Sequence, residues 1–325
     1  MQIYSSPEGI MRRHLFRVFA AVVFSIISLF TLSCSYHPFI PDDPDNNILG
    51  MVTFDNRDPG EHYGNFDVRS DFGTLKSWGS WWPFWRMRID SVSPVHNRVL
   101  AVRYPKRKLR SFKSGASWHW RPTEPRQEMF FSYWVLFPDS FEFRDGGKLH
   151  GLVGGKGNTG GNRSTGRDGW SCRVHWGAGD QIKLYVYHKD QSRKWGDTFY
   201  FTDDPQIHIV SPDKPVKQTE KHIHVERGVW HHIQMRVRVN DVGVRNGLAQ
   251  AWYDGRLVTD IRGFEFRNAE CRDDQLLVKG VYFSTFFGGR GEGYKPVRDE
   301  TVYFDDFVVS RNLYRPPGLV YDPVP

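Results

Sequence analysis

The sequence predicts an all-β fold of many short strands, which is a sandwich, a jelly roll or a barrel. Short stretches of strand-forming residues follow one another along most of the chain, and turn residues separate them. No long stretch has the 3.6-residue period of an amphipathic helix. Hydrophobic residues make up 39% of the 325 residues, which is enough for one large packed domain.

The N-terminal 34 residues (1–34) are predicted to be a signal peptide. Arg12, Arg13 and Arg17 flank the start of an uncharged stretch that is too short for a membrane-spanning helix. The sequence "TLSC", ending at Cys34, resembles a bacterial lipobox, with threonine where leucine is usual. We therefore expect an exported protein, a lipoprotein of the bacterial cell envelope or a secreted protein. An uncleaved anchor is the alternative.

Residues 35–48 are predicted to form a proline-rich, acidic linker, and residues 49–325 the β-jelly-roll domain. The sequence predicts strands within residues 97–105, 127–138, 170–176, 181–188, 221–226, 230–240, 247–258, 276–289 and 301–310. The glycine-rich stretch 151–161 lacks the Lys-Ser/Thr pair of a phosphate loop and is predicted to be a flexible loop. Cys172 and Cys271 either pair in an oxidising compartment or remain separate buried thiols.

The chain carries 44 basic and 37 acidic residues, a formal net charge of +7. For an exported protein this balance favours an acidic polysaccharide as the partner. The sequence has no helical recognition motif or zinc pattern for nucleic acid. Histidine spacing is poor for a metal site, so we predict no metal and no cofactor. The oligomeric state stays open.

Two predicted strands within residues 170–190 each have an apolar face and a polar face. The polar positions are Ser171, Arg173, His175, Lys183, Tyr185 and Tyr187. A five-residue loop, 177–181, sets Arg173 opposite Tyr185, and a three-residue loop sets it opposite Lys183. A four-residue loop would put the two polar sets on opposite faces.

A sheet face that carries arginine, lysine and tyrosine needs an anionic partner, because unpaired buried charges are costly. In a polymer of uronic acids, arginine would pair with the sugar carboxylate and make the neighbouring C5 proton more acidic. A tyrosinate or a lysine would remove that proton, and a tyrosine would protonate the leaving oxygen at C4. This β-elimination needs neither water nor metal.

The stretches "FSYWVLFPDSFEFRDGGKLHGLVGG", "WSCRVHW", "KLYVYH", "FSTFFGG" and "YFDDF" resemble the alginate and glucuronan lyases of polysaccharide lyase family 14 and its relatives. The resemblance covers most of residues 95–310. It implies an all-β fold, a β-jelly roll of two antiparallel sheets with an open substrate cleft, and a polysaccharide lyase that acts on a uronate polymer. The catalytic residues that it implies are Lys148, Ser171, Arg173, Tyr185 and Tyr187.

Each of these residues has an expected role. Arg173 would hold the substrate carboxylate, and Lys148 would add positive charge near the developing enolate. Tyr187 is the first choice for the base and acid, and Tyr185 is the second. Ser171 would position the substrate or a tyrosine hydroxyl.

Three further residues are predicted to bind substrate: His150, His175 and Lys183. His150 stands where the family usually has proline, which would add a titrating group beside the cleft. Two alternatives to a lyase stay open, a non-catalytic carbohydrate-binding lipoprotein of this fold and a jelly-roll glycoside hydrolase. The E-x-D-x-x-E pattern of laminarinase-like hydrolases and the G-x-S-x-G elbow are both missing. The polymer and the endo or exo mode are not determined.

Overall fold

A computed structural model describes residues 46–73, the backbone of residues 77–78, and residues 86–325. The predicted signal peptide and most of the predicted linker lie outside the described residues. The described elements belong to one compact unit, Pro38–Pro325. No helix in the described part of the chain has the length and apolar character needed to span a membrane.

The described residues form strands and one α-helix, α1 (Asn65–Phe72), with two short 3-10 turns at Ala178–Asp180 and Glu292–Tyr294. The strands are β1 (Ile48–Val52), β2 (Ser77–Trp78), β3 (Met87–Asp90), β4 (Val99–Tyr104), β5 (Ala116–Trp120), β6 (Glu128–Leu136), β7 (Gly146–Gly155), β8 (Gly169–Gly177), β9 (Ile182–Tyr187), β10 (Asp197–Tyr200), β11 (Ile207–Ile209), β12 (Trp230–Arg238), β13 (Gly247–Tyr253), β14 (Arg256–Phe264), β15 (Val278–Phe287) and β16 (Glu300–Ser310).

These strands make two sheets. Sheet A has the order β11-β14-β13-β12-β6-β16-β4-β3, and its ninth strand, β1, also pairs with β16. Sheet B has the order β10-β9-β8-β7-β15-β5-β2. Neighbouring strands are antiparallel apart from β11 and β14, which run parallel. The prediction of an all-β jelly roll with two antiparallel sheets is confirmed.

The hydrophobic core lies between the sheets and is rich in aromatic rings. Trp118 of β5 stacks on Phe283 of β15 with ring centroids 3.6 Å apart, and Phe283 lies 5.4 Å from Phe307 of β16. Phe72 of α1 packs at 5.1 Å against Trp118. Burial of each large apolar side chain contributes about 1.5–3 kcal/mol, so these contacts hold sheet B against sheet A.

Two local predictions are wrong. Residues 221–226 form only isolated bridges, at His222 and His224, and no strand. Part of the glycine-rich stretch that was predicted to be a loop belongs to β7, because β8 and β15 supply hydrogen-bonding partners on both sides. A side chain at Gly151 would put its Cβ 2.1 Å from the carbonyl oxygen of Cys172, so glycine allows the close approach of β7 and β8.

Cys172 and Cys271 are separate buried thiols and do not form a disulfide. The sequence had left both possibilities open. Cys172 lies in the core, where burial raises the pKa of its thiol. Cys271 donates a hydrogen bond from its Sγ to the carbonyl oxygen of Gly166 at 3.2 Å.

The core also contains a histidine, His150 of β7, with no exposed surface. Its ring centroid lies 3.9 Å from that of Phe283 and 4.6 Å from that of Phe304. Its Nδ1 accepts the backbone N–H of Ser284 at 3.1 Å. Burial holds the pKa of His150 well below its usual value, so the folded protein keeps this ring neutral.

We expect His150 to make the folded state less stable in acid. The unfolded chain protonates this histidine below pH 6.5 and the folded chain does not, so its share of the stability is lost as the pH falls through 6.5. The loss between pH 7 and pH 5 is about 2 kcal/mol. Urea unfolding of the wild type and of His150→Leu at both pH values measures it. The leucine variant should have the flatter pH dependence, and parallel curves would contradict the assignment.

Candidate active site

Sheet B has one face in the core and one polar face. The core side is apolar along β8 and β9, as at Val174 and Leu184. The opposite face of five strands, β5, β7, β8, β9 and β15, carries polar side chains, which we call the polar face. They are His119, Lys148, Ser171, Arg173, His175, Lys183, Tyr185, Tyr187, Tyr282 and Ser284.

The register of β8 and β9 is the one that a five-residue loop predicts. Arg173 lies opposite Tyr185. Ser171 lies opposite Tyr187, and His175 lies opposite Lys183. Because directly paired residues point to the same side of a sheet, all six polar positions of these strands share one face.

Arg173 is a buried cation that has no acidic partner among the described residues. Its side chain is 3% exposed, and its guanidinium lies 5.4 Å from the centre of the Tyr282 ring. Its Nη1 donates to Ser284 Oγ at 3.4 Å, while its Nε has no hydrogen-bond partner in the described part of the chain. Burial lowers the pKa of Arg173, against the opposing effect of the nearby tyrosines. An unpaired buried arginine is suited to binding a carboxylate that comes from outside.

Lys148 extends the cationic character of the polar face. Its Nζ lies 3.0 Å from Nδ1 of His175 and 4.9 Å from the centre of the Tyr185 ring. Burial, followed by repulsion from Arg173 and Lys183, holds the pKa of Lys148 well below its usual value. A larger fraction of this amine is therefore neutral near pH 7 than for an exposed lysine, which allows it to accept a proton.

The two tyrosines of β9 differ in access. Tyr187 is 1% exposed, and its hydroxyl accepts the backbone N–H of Gly161 at 2.9 Å. Tyr185 is partly exposed, its ring stacks at 4.1 Å on His175, and its ring centroid lies 5.6 Å from that of Tyr187. Burial, followed by the interaction with Tyr187, raises the pKa of Tyr185, so it is a neutral phenol that can donate a proton.

Ser171 and Lys183 occupy the edges of this group. Ser171 has no exposed surface, and its hydroxyl donates to the carbonyl oxygen of Asn158 at 2.6 Å. This bond fixes the loop between β7 and β8, the same loop that binds Tyr187. Lys183 is partly buried, lies 4.9 Å from the centre of the Tyr200 ring, and has its pKa lowered by burial.

His150 does not belong to the polar face, whereas its place in the family pattern predicted a substrate-binding residue beside the cleft. Strict alternation would place it on the same side as Lys148, two residues earlier. Lys148 of β7 pairs with His175 of β8, and Gly151 pairs with Arg173. Two residues of β7 therefore lie between these pairs, but only one residue of β8. This bulge inserts one extra residue and turns His150 into the core.

Three residues of the polar face were missed by the sequence analysis: His119, Tyr282 and Ser284. The Tyr282 ring stacks on His119 with centroids 4.7 Å apart, and its other contact is with Arg173. Burial, followed by the charges of Lys279, Arg121 and Arg173, lowers the pKa of His119 to about 4. The alternation of apolar and polar residues in "VYFST" indicates a strand with one apolar and one polar face. It does not indicate which strands lie beside that strand.

The five strands of the polar face, all within the described residues, contain no aspartate or glutamate. One group of potential metal ligands occurs in the described residues: His96, Asp305 and Asp306. It involves β16 of sheet A, so it is separate from the polar face of sheet B. The polar face thus offers amine, guanidinium, phenol and imidazole groups to a ligand, and no carboxylate.

This fold is shared with solved alginate lyases. The chain matches the family described as polysaccharide lyase 14 over residues 93–307, and it belongs to that family. The family resemblance stated from the sequence is confirmed.

Solved structures agree with this assignment. Alginate lyase Aly36B is 26% identical and superposes with a TM-score of 0.62, covering 81% of this chain and 96% of its own. An Aly36B mutant in complex with alginate tetrasaccharide is 25% identical, with a TM-score of 0.63 over 81% and 96% of the two chains. The marine PL-14 alginate lyase from Aplysia kurodai, 21% identical, shares the fold with a TM-score of 0.58 over 81% and 98%.

One curated relative is the exolysin of Paramecium bursaria Chlorella virus 1, which is 26% identical over 201 residues. The match covers 54% of this chain and 28% of the viral protein. The chain therefore corresponds to less than a third of that relative.

Proposed function

We propose that this protein cleaves a uronate polysaccharide by β-elimination without a metal ion. The observation that carries the proposal is Arg173, a buried guanidinium with no carboxylate partner among the described residues. Keeping such a charge unpaired is costly, and a substrate carboxylate would remove that cost on binding. Lys183 adds positive charge to the same face, as a polyanion requires.

The reaction needs one base and one acid. The base removes the proton at C5, and the electron pair moves into the carboxylate to give an enolate that Arg173 stabilises. Collapse of the enolate forms the C4–C5 double bond and breaks the bond from C4 to the glycosidic oxygen. The acid protonates that oxygen, so one new reducing end and one unsaturated uronate form without water.

We assign Lys148 as the base and Tyr185 as the acid. The lowered pKa of Lys148 favours the neutral amine, and the raised pKa of Tyr185 favours the neutral phenol. Tyr187, the first choice from the sequence, is buried and binds the N–H of Gly161. Its role is therefore to hold Tyr185 in place through the contact of their rings, whose centroids lie 5.6 Å apart. Ser171 supports the same loop through Asn158.

A glycoside hydrolase of the same architecture is disfavoured by the polar face itself. Hydrolysis of a glycosidic bond generally uses a pair of carboxyl groups that flank that bond. The strands of the polar face supply none. A binding protein without turnover would bind the same polymers but release no unsaturated product, so the absorbance assay below separates it from a lyase.

The experiment is a spectrophotometric screen of alginate, polymannuronate, polyguluronate and glucuronan. The alginate lyases among the similar structures make alginate the first polymer to test. Elimination creates an unsaturated uronate that absorbs in the ultraviolet, whereas hydrolysis and binding do not. We expect absorbance to rise with at least one polymer and to persist after treatment with EDTA. New reducing ends without absorbance would identify a hydrolase, and loss of activity with EDTA would contradict the metal-free route.

A further inference from the structure

His175 and Lys148 form a contact that the sheet itself builds. The two residues are directly paired across β7 and β8, and Nζ of Lys148 lies 3.0 Å from Nδ1 of His175. The Tyr185 ring stacks on the His175 ring at 4.1 Å, so both Nδ1 and one face of the imidazole are already occupied by protein groups. Its Nε2 is buried without a hydrogen-bond partner in the described residues. His175 therefore contacts the proposed base directly.

The surroundings keep this imidazole uncharged. The titratable groups around the pair are Arg173, Lys183, Tyr185 and, from the turn after β15, Tyr294. No carboxylate faces it from the strands of the polar face. Burial, followed by repulsion from Lys148, Arg173 and Lys183, lowers the pKa of His175. A neutral ring whose Nδ1 faces an amine accepts an N–H there and carries its own proton on Nε2.

Packing fixes both partners of the contact. The His175 ring stacks on Tyr185 at 4.1 Å with an interplanar angle of 24°, which holds Nδ1 in place. The stem of Lys148 runs beside the turn after β15, where a Cβ on Gly288 would lie 3.2 Å from Lys148 Cε. A lysine with four rotatable bonds loses precision without such a partner at its end.

We propose that His175 is a positioning residue that orients the amine of Lys148 toward C5, instead of binding the substrate directly. The proposal rests on the proposed function of the polar face. A neutral amine that donates one N–H to Nδ1 has its lone pair directed elsewhere, toward the polymer. After the proton transfer, the ammonium of Lys148 still donates to Nδ1, so the imidazole also stabilises the charge that the base acquires. His175 itself neither gains nor loses a proton.

Two substitutions of His175 separate the hydrogen bond from the packing. His175→Phe keeps an aromatic ring against Tyr185 and removes the acceptor. His175→Asn restores an acceptor oxygen close to the position of Nδ1. We expect kcat of the phenylalanine variant to fall about 10²-fold with KM changed less than about threefold, the loss typical of one misdirected catalytic group. The kcat of the asparagine variant should be at least about tenfold higher than that of the phenylalanine variant. His208→Phe, on sheet A, is the matched control.

A second readout does not depend on turnover. In protein labelled with ¹³C at the lysine ε carbons, the Lys148 resonance, assigned with Lys148→Met, reports the titration of its amine. Loss of the acceptor disfavours the ammonium, so the Lys148 midpoint in His175→Phe should move to lower pH and return in His175→Asn. The acidic limb of the kcat profile should move in the same direction.

The outcomes separate this inference from the proposed function. An unchanged Lys148 midpoint in His175→Phe overturns the positioning role, whatever the activity of the enzyme. Equal losses of kcat in the phenylalanine and asparagine variants also overturn it. A wild-type protein that is inactive on every uronate polymer, but whose Lys148 midpoint depends on His175, refutes the proposed function and leaves the contact established.

Discussion

Arg173→Met is expected to lower kcat/KM on a uronate polymer by about 10³-fold while leaving the fold at least as stable. The loss reflects the missing charge-assisted hydrogen bonds to the carboxylate, at which negative charge accumulates in the transition state. Stability is retained because the substitution removes a buried charge that has no acidic partner in the described residues. Steady-state kinetics and thermal unfolding measure the two effects.

Arg173→Lys tests whether charge alone is sufficient. Lysine keeps the cation but loses the planar fork, so we expect an intermediate loss of about 10²-fold. Arg272→Met provides the control, because Arg272 is exposed and pairs with Asp274. Turnover near the wild-type level in Arg173→Met would remove the central support for the proposed function. A strong loss of stability would instead assign Arg173 a structural role.

Tyr185→Phe is expected to lower kcat by about 10³-fold, the size of effect seen when a general acid is removed. The substitution keeps the ring that stacks on His175 and deletes only the hydroxyl. Polymers with a better leaving group at C4 should lose less activity, because their departure needs less protonation. Kinetics with chemically modified oligosaccharides measure this difference.

Tyr187→Phe is the matched comparison on the same strand. It leaves the N–H of Gly161 without its acceptor, so we expect a loss of about 1–3 kcal/mol in stability and a smaller loss of turnover than for Tyr185→Phe. The reverse order, with Tyr187→Phe inactive and Tyr185→Phe active, would assign the acid to Tyr187. Wild-type turnover in both variants would exclude a tyrosine acid.

Much of the candidate site follows from the sequence because alternation in a strand is a local property. The alternation of residues alone predicts the polar positions from Ser171 to Tyr187. The five-residue loop then sets the strand register that brings Arg173 opposite Tyr185. Lys148 entered through the family resemblance, which the match over residues 93–307 supports.

The part that the sequence could not supply depends on contacts between distant segments. Tyr282 and Ser284 reach Arg173 from β15, more than a hundred residues away, and no local pattern says which strand lies beside β7. The choice between Tyr185 and Tyr187 likewise depends on a backbone N–H in another loop.

The residue pattern alone predicts an all-β fold and strands with one apolar and one polar face, because strand periodicity is a local property. The register of β8 and β9 required the structure, because loops of three, four and five residues were all compatible with the sequence. Tertiary structure decided that His150 is a core residue and His175 a neighbour of Lys148, because a single inserted residue in β7 reverses the face of every position after it. It also set two pKa values on the polar face. Burial and repulsion from Arg173 and Lys183 lower the pKa of Lys148, whereas burial and the interaction with Tyr187 raise that of Tyr185.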